Sequence, residues 1–361
     1  MKVLHVIARM NVGGTATYLI NLLKGLEQLE VNYMLAFGDV TPNETEDSRV
    51  ADLKGVRIRS LSRNISPIQD LYAQRALKKL IGEYNPDVIH SHTFKAGALV
   101  RTLKSDKLLI HTYHGHHLYD PDYGFFKKKL LNTIERKLAE RNKAIVSIGE
   151  NVAKELLAVK IGSKDRMISI APGISKPVLR NRQEMCEKHG LDSSKIHVLW
   201  MGRLTNVKRP DRALGIARRF PEITFLICGG GELRQELEAQ APRNVKFMGV
   251  QSAEEMLSIA DLALLTSDSE GMPLTLIEAQ MSGIPAVATN VGSVSEIIMN
   301  GKTGFVTRLS EDEISERLAL LVENTELRRG MSMEASKISI PRFSISRMVN
   351  DHMNLYQKVM G

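Results

Sequence analysis

Ser267-Asp268-Ser269-Glu270-Gly271-Met272-Pro273-Leu274-Thr275-Leu276-Ile277-Glu278-Ala279 follows directly on the apolar run Leu262 to Leu265. The run reads as a buried strand, and Pro273 suits the first turn of a helix, where its missing N–H is no loss. A helix starting there leaves the backbone N–H groups of Leu274 and Thr275 free. With the helix dipole behind them they favour a diphosphate. Glu270 falls in the loop at the helix mouth. Glu278, more than a turn inside the helix, can accept two hydrogen bonds from a ribose diol. One short segment thus offers groups for a sugar, a phosphate and a ribose.

On either side of this segment, short β-branched runs alternate with amphipathic stretches, the pattern of parallel sheets covered by helices on both faces. The runs Ile196 to Met201, Thr224 to Cys228, Val245 to Phe247, Ala286 to Ala288 and Gly304 to Val306 belong with Leu262 to Leu265. An earlier series comprises Lys2 to Arg9, Val31 to Phe37, Val56 to Ser60, Asp87 to Ser91, Leu108 to Tyr113, Ala144 to Ile148 and Met167 to Ile170. Periodicity fades between Ala171 and Lys195, a polar stretch that reads as the linker. The expectation is an α/β chain with two doubly wound, Rossmann-like lobes facing a central cleft. The first domain spans 1–175 and is joined by a final helix over 343–361; the second spans 176–342. Ligands in open α/β sheets bind outside the carboxyl ends of the strands, which places the expected active site in that cleft.

Composition fits a folded chain of 361 residues, 43% apolar and 25% charged, without the run of about 18 apolar residues that a membrane span requires. Met1-Lys2 leads into Val3-Leu4-His5-Val6-Ile7 with no small-residue cleavage site, so the sequence reads as cytoplasmic. Cys186 and Cys228 have neither pairing nor metal-ligand spacing and read as buried thiols. The net charge of +8 is uneven: residues 1–180 hold 28 Lys and Arg against 18 Asp and Glu, and the rest 21 against 23. An anionic partner for the first half follows, among a membrane surface, a nucleic acid and a phosphate-bearing substrate. The basic half carries no recognisable nucleic-acid motif, which argues against nucleic acid.

Glu270-Gly271-x-Pro273 with Glu278-Ala279, followed by Ser282-Gly283-Ile284-Pro285, resembles the retaining glycosyltransferases of family 4, which have the GT-B fold. Further matches are Gly202-Arg203-Leu204 with Lys208-Arg209-Pro210, Gly229-Gly230-Gly231-Glu232, Gly301-Lys302-Thr303-Gly304-Phe305, Gly13-Gly14, Asp87 to His92 and His114-Gly115. The resemblance covers nearly the whole chain. It implies that Arg203 and Lys208 hold the donor pyrophosphate in place of a metal, and that no cofactor is needed. It further implies that Glu270 and His114 position the transferred sugar, that Gly14 and Gly231 lie on the donor side, and that the base rests near Val245 to Gly249. A UDP-sugar is favoured over a GDP-sugar. The acceptor is a hydroxyl, with lipid-linked saccharides, phospholipids and small molecules as candidates, and the setting is glycan or glycolipid synthesis of the bacterial type. Two rival readings remain: a nucleotide-sugar epimerase of the same build, and a non-catalytic nucleotide-binding or nucleic-acid-binding protein.

In the first half, Thr17 stands where a dinucleotide fingerprint has its third glycine, which weakens a nicotinamide reading. His90, His92, His111, His114, His116 and His117 cluster, yet no nearby Cys or Glu completes a zinc site at recognisable spacing. The resemblance implies that His90 and His92 shape the cleft wall, and His116 and His117 read as solvated loop. Asp120-Pro121-Asp122 precedes a helix and reads as a cap or loop rather than a metal site. Over Phe125 to Leu138, the i, i+4 stripe Phe126, Leu130, Ile134 and Leu138 reads as a core face. Three adjacent lysines, Lys127, Lys128 and Lys129, make docking on an anionic membrane the competing reading.

Overall fold

The structure is a computed structural model and describes residues 1–42, 44–62, 66–115 and 124–361. The histidine pair at 116 and 117 and the Asp-Pro-Asp run at 120–122 lie outside the described residues. The chain forms two compact units, Met1–Ile174 with Ser344–Gly361, and Ser175–Phe343.

The first unit is built on a seven-stranded sheet of β1 (Lys2–Ile7), β2 (Asn32–Phe37), β3 (Gly55–Arg57), β4 (Val88–His92), β5 (Leu108–Tyr113), β6 (Ala144–Ser147) and β7 (Met167–Ser169), in the order β3-β2-β1-β4-β5-β6-β7. The second has six strands, β8 (His197–Met201), β9 (Thr224–Cys228), β10 (Val245–Gly249), β11 (Leu262–Leu265), β12 (Ala286–Thr289) and β13 (Gly304–Thr307), in the order β10-β9-β8-β11-β12-β13. All pairings are parallel. Strands such as β11, Leu-Ala-Leu-Leu, are buried at every position because helices cover both faces, which is why they read as unbroken apolar runs. Strand order reverses between β1 and β4 and again between β8 and β11. At these two places successive helices go to opposite faces and leave a gap at the strand ends where a ligand fits.

The polar stretch at 171–195 is more structured than its composition implies. It contains a helix, Arg182–Lys188, whose N-cap Asn181 accepts a hydrogen bond from the Glu184 N–H at 3.1 Å. Arg182 pairs with Asp261 at 2.8 Å and Lys188 with Glu255 at 2.8 Å, so the polarity serves to dock this helix on the second unit.

The stripe on the Phe125–Ala139 helix is not a core face. Buried Arg101 donates to both oxygens of Glu135, at 2.8 and 2.9 Å, and this fixes the rotation of the helix. Steps of four residues advance about 40° beyond a full turn, so the stripe winds around the helix. Exposure accordingly falls along it, from 85% at Phe126 through 61% at Leu130 and 37% at Ile134 to 8% at Leu138. Only its last member reaches the core. No helix among the described residues is long and apolar enough to cross a membrane.

The last helix, Ile345–Met360, is capped by Ser344 and packs on the Gly14–Gln28 helix, where a Cβ on Gly25 would lie 2.3 Å from a methyl of Val349. Replacing Gly25 by Ala gains about 1 kcal/mol of helix propensity but meets an overpacking cost of about 1 to 3 kcal/mol. Gly25→Ala is therefore expected to lower the thermal midpoint, and adding Val349→Ala should recover it. A single variant as stable as the parent would show that the two helices do not pack this closely.

Candidate active site

In the second unit, the loops after β8 and β11 meet at the strand-order reversal and are fastened to each other. Thr266 is the pivot. Its hydroxyl accepts from the Trp200 indole N–H at 2.9 Å and lies 2.8 Å from the Arg209 carbonyl and 3.1 Å from that of Lys208. The Asp268 N–H donates to the Val207 carbonyl at 2.9 Å. Arg212 reaches the Thr266 carbonyl and, at 2.8 Å, the Asp268 carboxylate, which also receives Arg209 at 3.2 Å. Lys208 ends a 3-10 turn, Asn206–Lys208, and Arg209 follows in the left-handed region at φ 52°, before the helix Pro210–Ala217. The bonds from Thr266 and Asp268 hold that uncommon backbone in place.

This fastening joins two residues to which the sequence assigns separate tasks. Lys208 Nζ lies 2.6 Å from both oxygens of Glu270, and Ser267 Oγ donates to the Glu270 Oε1 at 2.6 Å. The Glu270 side chain is only 6% exposed, and that of Lys208 24%. The lysine and the carboxylate thus face each other largely out of solvent, where opposite charges must be paired. Arg203 is exposed and has no side-chain partner among the described residues. A recess lined by Trp200, Lys208, Ser267, Glu270, Thr275 and Ala279 opens beside the pair.

Helix Leu274–Met281 begins one residue later than its sequence implies, with Pro273 as the N-cap. The first bonds that close it run from Leu276 and Ile277 to the Pro273 carbonyl, so the N–H groups of Leu274 and Thr275 precede the ladder. Leu276, Ile277, Ala279 and Gln280 are buried, whereas Leu274, Thr275 and Glu278 form the partly open face. Gly231 belongs to this assembly for a steric reason. At φ 156°, a Cβ there would lie 2.4 Å from the Leu204 carbonyl oxygen, so only glycine lets its turn close on the Arg203 loop. Gly292 lies as closely against the Glu270 carbonyl, at 2.1 Å for an added Cβ.

In the first unit, Gly14 is the exposed first residue of the helix Gly14–Gln28, and Gly13 before it has the backbone, φ 154°, that favours glycine. Thr17 accepts a hydrogen bond from Arg49 at 2.9 Å. His114, half-buried just after β5, lies edge-on to the Tyr18 ring with centroids 4.8 Å apart. His90 and His92 do not form a wall. Both are fully buried, because β1, β4 and β5 turn one face toward Tyr18 and the last helix. His92 bonds to His5 at 3.1 Å and to His114 at 3.2 Å, and His90 to the Tyr356 hydroxyl at 2.8 Å and Thr112 at 2.7 Å. Tyr18 OH is 2.6 Å from His352 Nε2. His5 and His352 escape a motif search, yet each carries a signal: a polar residue inside the β1 apolar run, and a His and Tyr at i, i+4 on the last helix.

Two parallel-sheet Rossmann-like domains in one chain, the second with a basic and acidic cluster at the mouth of a helix, define the GT-B class of proteins. The comparisons agree. A sucrose-phosphate synthase from Thermosynechococcus elongatus has this fold, with a TM-score of 0.87 at 16% identity over 99% of this chain and 99% of that one. So does Anabaena HepE, solved with UDP and glucose, with a TM-score of 0.84 at 16% identity over 99% and 100%. The family described as "Glycosyl transferases group 1" matches residues 181–338, and "Glycosyltransferase Family 4" matches residues 12–176. The UDP-Gal:alpha-D-GlcNAc-diphosphoundecaprenol alpha-1,3-galactosyltransferase of Escherichia coli is 25% identical over 352 residues, 91% of this chain and 89% of the relative. The chain belongs to the family 4 glycosyltransferases and is an enzyme that transfers a sugar.

Burial pushes the His5 imidazole down to about 3 and holds His90, His92 and His352 well below their ordinary range. In the unfolded chain the same rings titrate near 6.5, so between the two values the unfolded state binds more protons. Stability is therefore complete above about pH 6.5 and falls as the pH drops, by about 1.4 kcal/mol per pH unit for each buried ring. Urea midpoints are expected to fall between pH 7.5 and 5.5. Equal midpoints at the two pH values would contradict neutral burial of these rings.

Proposed function

We propose that this enzyme moves a sugar from a UDP-sugar to a hydroxyl acceptor with retention of anomeric configuration and without a metal ion. The observation that carries the reading is the Lys208–Glu270 pair at the open start of the Leu274–Met281 helix, with exposed Arg203 on the same loop after β8. The donor pyrophosphate takes Arg203, Lys208 and the N–H groups of Leu274 and Thr275. These supply positive charge where the leaving group becomes negative. Glu278 accepts from the ribose hydroxyls. Glu270, held at a fixed angle by Ser267, accepts from hydroxyls of the transferred sugar. In the first unit, His114 is read as a group that bonds a sugar hydroxyl. Gly14 and Gly231 allow close approach of backbone on the donor side. UDP is preferred on the strength of HepE, solved with UDP, and of the galactosyltransferase named for UDP-Gal. The name of that relative also supports a lipid-linked saccharide as acceptor, in glycan synthesis.

In the step itself the acceptor oxygen bonds to the anomeric carbon on the face from which the nucleotide departs. The bond from that carbon to the phosphate oxygen breaks, and the departing phosphate takes the acceptor proton. No cofactor enters. Arg203→Ala is the cleaner test of the cationic side, because removing Lys208 or Glu270 also strands a partner that is nearly buried. Arg203→Ala is expected to lower kcat and weaken donor binding, and Glu278→Ala chiefly to raise the donor KM. Each effect should be about 10- to 100-fold, the worth of one charge-assisted hydrogen bond. Kinetics unchanged in both variants would remove the assignment. Donor choice is read from thermal stabilisation by a panel of UDP- and GDP-sugars. Product that forms without any acceptor would favour an epimerase instead.

The outward face of the Phe125–Ala139 helix supports a peripheral contact with the inner, anionic face of a bacterial membrane. Phe126 and Leu130 stand exposed beside exposed Lys129, in the half of the chain that holds the basic excess. Exposed apolar side chains with a neighbouring lysine match an acidic lipid surface. Flotation with phosphatidylglycerol vesicles is expected to capture the protein in low salt, and Phe126→Ser with Leu130→Ser should release it. Capture that is indifferent to lipid charge and salt would refute this contact.

A further inference from the structure

We propose that His5 and His92 form a buried imidazole relay that fixes which nitrogen of His114 carries its proton, so that His114 meets its ligand as a hydrogen-bond donor through Nδ1. This rests on the reading of His114 as a ligand-facing group.

His5 lies on β1, His92 at the end of β4 and His114 just beyond β5. His5 Nδ1 is 3.1 Å from His92 Nε2, and His92 Nδ1 is 3.2 Å from His114 Nε2. The ring centroids are 5.4 and 5.5 Å apart and the planes are inclined by 16° and 36°, so the rings meet edge to edge with the bonding nitrogens on the line of centres. Burial holds all three imidazoles neutral, and each therefore carries one ring proton. A nitrogen-to-nitrogen hydrogen bond needs one protonated and one bare nitrogen. The two bonds must then point the same way, and only two arrangements exist.

The inner end of the relay decides between them. His5 Nε2 is buried with no hydrogen-bond partner among the described residues. If the relay points inward, that atom is an N–H with nothing to receive it. If it points outward, the atom is a bare lone pair. An orphaned buried N–H is rarer and more costly than an orphaned acceptor. The outward arrangement puts the protons on Nδ1 of His5, His92 and His114. His90 cannot relieve the inner end, because both its nitrogens are already bonded, to Tyr356 and Thr112. The same engagement argues against a metal ion shared by His5, His90 and His92, although their ligand atoms lie within 4.8 Å of one another.

His114 thereby turns its only bare nitrogen to the interior and keeps an N–H for the ligand. It recognises a lone pair, on a sugar hydroxyl or a phosphate oxygen, and cannot serve as the base that takes the acceptor proton. His5 and His92 are positioning residues for this donor.

The direct test is a long-range proton–nitrogen correlation spectrum of the full chain with labelled histidine, assigned by single-histidine substitutions. Protonated Nδ1 in His5, His92 and His114 is expected; a protonated Nε2 in His114 overturns the proposal. In turnover, His5→Leu removes the donor that sets the direction of the relay. It is expected to lower kcat about tenfold, as the loss of one transition-state hydrogen bond would, with the donor KM little changed. His5→Asn, whose amide N–H sits close to the place of Nδ1, should restore most of that loss. Equal losses in the two variants would reduce His5 to a packing role and reject the relay. If His114→Ala retains full turnover while the spectrum is as expected, the relay stands and the assignment of His114 to the sugar is what fails.

Discussion

Thr266 and Arg212 impose the constraint on which the rest of the second unit depends. Two loops some 60 residues apart in sequence each leave a parallel strand at the point where strand order reverses. A threonine hydroxyl between an indole N–H and two backbone carbonyls, together with an arginine that spans a carbonyl and a carboxylate, binds the loops as one surface. The Lys208–Glu270 pair exists only because that surface exists. A lysine and a glutamate free to move in water would gain little from each other; held at 2.6 Å and largely out of solvent, they form a charge-neutral unit with fixed direction. A site built in this way needs little reorganisation when charge develops on a ligand.

The scaffold was legible in the sequence and the partnerships were not. Parallel strands covered on both faces must be apolar throughout, so runs such as Leu262 to Leu265 or Ala144 to Ser147 show themselves at once. Pro273 marks a helix start for a local reason, and the structure moves that start by a single residue. What pairs with Glu270 depends on a loop from β8, and periodicity carries no information about it. The Phe126 stripe was misleading for a related reason. Spacing by four identifies a face of a helix but not the direction in which that face points, and here the direction is set by Arg101 on a neighbouring helix. His90 and His92 resemble surface groups by residue type, yet alternate residues of β4 share a face with His5, Thr112, Tyr18 and Tyr356, and that face is closed.

Buried polarity is met in two opposite ways, one in the loops of the second unit and one on a single face of the first, which elsewhere buries the Arg101–Glu135 ion pair. The second keeps charges and cancels them, as in Lys208 with Glu270 and Arg212 with Asp268. The first removes charge from the face it turns to the last helix, filling it with imidazoles, phenols and a threonine hydroxyl that bond one another while neutral. Neutral groups avoid the desolvation cost of ions, but they must be matched donor to acceptor along the whole series.

The return of Ile345–Met360 to the first unit has a consequence for how the molecule is made. Tyr18 and His90 take their partners, His352 and Tyr356, from a segment that leaves the ribosome after every residue of the second unit. The first unit is begun first and completed last. Through nearly all of synthesis its helix Gly14–Gln28 shows water the surface meant for Val349, and the nascent chain carries a finished second unit beside a half-closed first one. Chaperone engagement during translation should therefore concentrate on the amino-terminal half, although that half is the older.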